Sequence, residues 1–165
     1  MKQSARGFSL IELMVVIVVI GTLAAMAYPS FQFRIIRQQI ESVTPLTDLA
    51  KRPVEAAWAN KLPLPADNFA AALPIPEKMV SNFVKSVKLD NGVVNVTFGN
   101  QANGVLKDKV LSMRPAVVTD APMVPVAWIC AGANVPDKMT VQGVDRTTVP
   151  VAMLPPSCRK RDLKK

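Results

Sequence analysis

From Phe8 to Ala27 the chain reads FSLIELMVVIVVIGTLAAMA, twenty residues of which only Ser9, Glu12 and Thr22 carry polar side chains. A helix rises about 1.5 Å per residue, so this run spans roughly the 30 Å of a bilayer's hydrocarbon core. The pattern predicts a transmembrane helix. Lys2 and Arg6 precede it without an acidic residue, so the positive-inside rule keeps the N-terminus cytoplasmic and places the residues after Pro29 across the membrane. Ala24-Ala25-Met26-Ala27 also fits the cleavage site of a secretory signal peptide, a reading that gives Glu12 no role.

Beyond Pro29 the period stays helical but becomes one-sided. Ile36, Ile40, Val43, Leu46, Ala50, Val54 and Ala57 recur at spacings of three and four, which makes one apolar packing stripe. Pro45 and Pro53 interrupt it, and interior proline costs about 3 kcal/mol, so one long bent helix is expected to about Asn60, with a break near Pro53 as the alternative. Four of the fourteen prolines fall between Pro63 and Pro76, and this stretch is expected to be an irregular surface loop.

The pattern then turns to strands. Residues 83–89 (FVKSVKL) and 93–98 (VVNVTF) flank Asp90-Asn91-Gly92, which supplies the positive-φ positions of a tight hairpin. Val105 to Met113 predicts a third strand and Val124 to Cys130 a fourth. The fold class expected is α+β, with the long hydrophobic N-terminal helix packed against a four-stranded antiparallel sheet whose other face is polar.

Composition narrows the chemistry. The 165 residues suffice for about one domain and an appendage, and the 50% apolar share is unevenly spread and densest in the first thirty positions. There is no histidine, which removes Ser-His-Asp and Cys-His nucleophiles and His-ligated zinc. No phosphate-binding glycine loop or metal-spaced cluster occurs, Asp90 is a turn residue, and Asp137 and Asp145 fall in a loop, so no enzyme, cofactor or metal is expected. Cys130 and Cys158, the only cysteines, lie on the oxidising side of the membrane by the topology above and are expected to form a disulfide. The net charge of +8 is heaviest at the end, in Arg159, Lys160, Arg161, Lys164 and Lys165, which read as a solvated tail.

Glu12 stands out. A carboxylate in a membrane helix costs a few kcal/mol and usually has a partner or a function, unless it reaches back to the headgroups. Gly7-Phe8-Ser9-Leu10-Ile11-Glu12-Leu13, the apolar run with Gly21, and Pro29 resemble the N-terminus of a type IV prepilin. The resemblance implies a leader, residues 1–7, cut after Gly7 by a prepilin peptidase, with Phe8 then N-methylated. It also implies an N-terminal helix over 8–60, whose 8–28 segment is both membrane anchor and assembly surface, and a globular head over 61–165. Glu12 is implied to pair with the Phe8 amine of a neighbouring subunit, and Gly21 and Pro29 to bracket a stretch that loses helical hydrogen bonding in the filament. Glycine's entropy and proline's missing N–H make such local melting cheap.

A second, C-terminal resemblance covers Trp128-Ile129-Cys130 and Leu154-Pro155-Pro156-Ser157-Cys158-Arg159, which are similar to the disulfide-bounded region of major type IV pilins. The implied function is a structural pilus subunit, held in the inner membrane and then polymerised into a surface filament. Its implied partners are further copies of itself, the peptidase, the pilus assembly machinery and the inner membrane. The alternatives are a minor pilin, a secretion-system pseudopilin, or a competence pilin that binds nucleic acid through its basic C-terminus; pseudopilins generally lack the C-terminal loop.

Overall fold

The structure, a computed structural model, describes residues 7–161, without the side chains of residues 27–30. It divides into two compact units, one ending at Ile35 and the other starting at Ile36. Helix α1 runs Leu10–Glu41 and passes helically through Gly21 and Pro29. Helix α2 runs Thr44–Ala59.

The long helix expected to about Asn60 is present as α1 and α2, with one short interruption. The interruption lies at Ser42-Val43, just before Pro45, while Pro53 sits inside α2. Pro45 occupies the first turn of α2, and its missing N–H leaves the Glu41 carbonyl without the i−4 donor that would continue α1. The hydroxyls of Ser42 and Thr44 donate to the carbonyls of Gln39 and Glu41, both at 2.7 Å, which satisfies acceptors left open at the end of α1. At the other end of α2, Lys61 takes φ 58°, and Leu62 and Lys61 donate back to the carbonyls of Ala57 and Trp58 in a Schellman arrangement.

The predicted stripe is buried at Ile36, Ile40, Val43, Ala50 and Val54, and Thr47 joins it. It packs on one face of an antiparallel sheet ordered β1 (Val84–Asp90), β2 (Val93–Phe98), β3 (Val110–Val117), β4 (Ala127–Cys130). A fifth strand, β5 (Thr140–Val141), pairs with the end of β3. The hairpin turn has φ 49° at Asn91 and 81° at Gly92, as the Asn-Gly pair predicts. A bulge at Lys85 returns Val84 to the core beside Val87 and Leu89, and the Lys85 side chain lies where a Cβ on Gly99 would sit.

Three expectations are corrected. The third strand starts at Val110, not Val105, because Asn103–Asp108 folds into a turn that drops Leu106 into the core. It then runs through Pro115, whose ring lies beyond the last β2–β3 pair, Val94–Met113, where no ladder bond is lost. The fourth strand starts at Ala127, not Val124. The proline-rich loop is not purely a surface element, since Asn68 and Ala71 are buried.

The far face of the sheet is covered as well. Residues 142–149 cross it as a strap, and Asn95 and Ser112 are buried beneath. Ser112 donates its hydroxyl to Asn95 Oδ1 (2.7 Å), accepts the Arg146 N–H (2.9 Å), and donates its backbone N–H to Thr147 Oγ1 (3.1 Å). Val110 and Thr148 complete the clasp, and Arg146 pairs with Asp90 at 2.7 Å.

Candidate functional site

The N-terminal unit presents apolar side chains with nothing from the described residues over them. Phe8, Leu10 and Ile11, and each of the large residues from Leu13 to Ile20, then Leu23 and Met26, are exposed. An 18-residue window of α1 has mean hydropathy 2.6, long and apolar enough to cross a membrane. The Thr22 hydroxyl donates within the helix to the Val19 carbonyl at 2.8 Å, so it brings no open donor into that surface.

Glu12 lies in the first turn of α1, where a carboxylate is favoured by the helix dipole. It is exposed, and it is the sole ionisable side chain between Phe8 and Met26. Its backbone N–H and that of Leu13 both donate to the Ser9 carbonyl. Gly7 and Phe8 precede the helix and are also exposed. Lys2 and Arg6 lie outside the described residues.

The head is closed at its C-terminal end by the Cys130–Cys158 disulfide, which joins the last residue of β4 to a single turn of 3-10 helix. Arg114 donates to the Ala131 carbonyl beside it at 3.0 Å. Three residues of the predicted basic cluster, Arg159, Lys160 and Arg161, fall within the described residues. The Arg159 guanidinium turns back and donates to the carbonyls of Leu154 and Ala152, both at 2.7 Å. Lys160 and Arg161 are exposed, and the Arg161 backbone exchanges two hydrogen bonds with the Asn134 side chain. Lys164 and Lys165 lie outside the described residues.

Elsewhere on the head one exposed pair joins Lys85 to Asp108. Lys85 lies 2.8 Å from Asp108, and its hydrogen bond and positive charge, with Lys107 behind, hold that carboxyl below its ordinary value. Among the described residues no group of three or more His, Cys, Asp or Glu side chains converges on a point that would hold a metal.

Sequence reasoning missed Asn68. Its side-chain amide accepts from the Leu89 N–H (2.7 Å) and donates to the Val87 carbonyl (3.0 Å), so it fastens the proline-rich loop along β1. It also missed the contact of Trp128 Nε1 with Glu55 at 2.7 Å, which ties α2 to β4. An Asn between prolines signals a turn, but no local pattern names a partner some twenty residues away.

Comparison with known proteins agrees with this geometry. A family model described as a prokaryotic N-terminal methylation motif matches residues 2–28, and one described as pilin (bacterial filament) matches residues 37–159. A fimbrial protein of Neisseria meningitidis serogroup B is 30% identical over 96% of this chain and 96% of its own length. A type IV major pilin protein of Neisseria gonorrhoeae is 31% identical, covering 96% of this chain and 89% of itself. A type IV major alpha-pilin of Moraxella bovis is 34% identical over 78% of this chain and 86% of itself. With an apolar N-terminal helix and a disulfide-closed α+β head on one chain, and matches that together cover most of its length, the protein belongs to the pilin family of bacterial filament proteins.

Proposed function

We propose that this chain is the repeating structural subunit of a type IV pilus and performs no catalysis. The observation that carries the reading is the uncovered apolar surface of α1 from Phe8 to Met26 with one carboxylate in it. A surface of that size needs a cover, and a bilayer and a bundle of identical helices both provide one. The precursor sits in the inner membrane with its N-terminus cytoplasmic and its head outside. A prepilin peptidase cuts between Gly7 and Phe8, the new Phe8 amine is methylated, and residues 8–28 pass from lipid into the filament core.

The fresh amine gives Glu12 its partner. Two opposite charges inside an apolar bundle attract strongly, and either one buried alone is penalised, so only the register that pairs the Glu12 carboxylate with a neighbour's Phe8 amine is stable. Gly21 and Pro29 are the weak points at which the assembled helix loses hydrogen bonds. The head, residues 61–165, forms the outer wall.

The test is Glu12→Leu in a cell that otherwise makes the filament. Membrane insertion and the amount of precursor stay at wild-type levels, while sheared surface filaments fall at least roughly tenfold, because the breaking of a buried pair costs several kcal/mol. Filaments at wild-type yield from Glu12→Leu would overturn the pairing. Mass spectrometry of wild-type filaments should find a mature N-terminus at methylated Phe8.

A further inference from the structure

Two apolar features of the head lie at opposite edges of its sheet. Beyond β1, Phe69 stands 91% exposed on the proline-rich loop. Its perch is stiff. Asn68 is bonded to Val87 and Leu89, the Leu73 N–H returns to the Asn68 carbonyl at 2.8 Å, and Asp67 accepts the Ala70 N–H at 2.8 Å. Toward the other edge, the segment entering β4 and the last turn of α2 enclose a recess of 310 Å³. Trp58, Pro122 and Val124 wall it, and Met123, 90% exposed, stands at its mouth.

Size and charge agree. A cavity of about 150 Å³ accepts benzene, so this recess has room for a phenyl ring, and a flexible methionine at the mouth adapts to it. Asp67 and Lys88 flank Phe69, while Lys61 and Asp120 line the far side of Trp58. The Phe69 surface thus carries one acid and one base, and the recess side carries Lys61 with Asp120 and with Glu55 in the recess wall; Lys88, Lys61 and Asp120 have no ion-pair partner among the described residues.

Within one head the two features do not meet. β1 and β4 are three strand spacings apart, roughly 14 Å. We propose that Phe69 of one subunit docks into the Trp58–Met123 recess of a second copy of this chain. The contact rests on the pilus reading and assigns which parts of the heads touch. It is heterologous: a docked pair keeps one knob and one recess open, so the contact propagates without closing a dimer. A rigid aromatic in a partly enclosed aromatic recess is also the kind of contact that dominates an interface's energy.

The test uses full-length chains in cells. Phe69→Cys and Met123→Cys are made singly and together, co-assembled with wild-type chain, and the sheared filaments are treated with a short bismaleimide. Cys130 and Cys158 are bonded to each other and do not react. Expected is a ladder of linked subunits from the double variant and linked dimers from mixed single variants, with neither single variant linking alone. Phe69→Asp should lower filament yield at least roughly tenfold and Phe69→Tyr should not. Linked dimers from Phe69→Cys alone, or filaments of full yield from Phe69→Asp, would overturn the contact. The absence of filaments from the wild-type chain would instead overturn the pilus reading itself.

Discussion

Asn68 does at one position what a neighbouring strand would do along the whole edge of β1. Its amide presents an acceptor and a donor to Leu89 and Val87 with the spacing of a backbone, and its second amide hydrogen goes to the Pro74 carbonyl at 2.9 Å. Unpaired edges invite further strands, and this is one way to blunt them. Asn68→Ala leaves two buried groups, the Leu89 N–H and the Val87 carbonyl, unsatisfied and should cost about 2 to 4 kcal/mol, read as a lower thermal midpoint of the detergent-solubilised chain. Asp108 marks the opposite limit, a fully solvated pair. Its carboxyl is held down by Lys85, so the stabilisation it contributes is present at neutral pH and is lost as pH falls from the ordinary Asp range through the lowered one. Asp108→Asn should therefore flatten the acid limb of stability against pH at low ionic strength and show little difference in high salt, since both side chains are 60% exposed. Periodicity identified the buried stripe residues, and the Asn91-Gly92 turn was legible because its φ values belong to those residue types. Asn68 was not, because its partners are set by the fold and not by its neighbours.

At the scale of elements, the misplacements share a cause. Val105 and Leu106 look like the start of a strand, but the turn at Asn103–Asp108 buries Leu106 by a route that period-two counting does not represent. β3 continues past the expected end at Met113 and through Pro115, because β5 begins where β2 ends and the Gln142 N–H donates to the Pro115 carbonyl at 2.8 Å. β5 itself has two residues, too few to carry a pattern. The strap over the far face was invisible for a similar reason, since the Arg146 N–H donates to the hydroxyl of a Ser that looks solvent-facing and the Thr147 hydroxyl accepts that Ser's backbone N–H. Its tightest approach is at Gly143, with φ 77°, where an added Cβ would overlap the buried, branched Val93. Gly143→Ala should cost about 2 to 4 kcal/mol from left-handed strain and overpacking together, measured as a shift in the denaturation midpoint. A loss below about 0.5 kcal/mol would show that the strap is loosely held.

For the whole molecule, the division of labour between the two units was legible: an apolar segment long enough to span a bilayer followed by a one-sided pattern needs no tertiary information to be noticed. The helix break at Ser42-Val43 and the apolar features of the head surface required the fold. Because a loop closed over 28 residues restricts the unfolded chain, Cys130→Ser with Cys158→Ser should destabilise the head by about 3 to 4 kcal/mol, seen as a lower midpoint that matches wild type under reducing conditions. The same covalent ring bears on proteolysis. Exposed positions such as Val135, Val144 and Val151 all lie inside it, so a single cut at any of them would leave both fragments on the same particle. A nicked subunit would run as intact protein on a non-reducing gel and separate into two bands only with reductant, so a filament cut there would keep every piece of its wall.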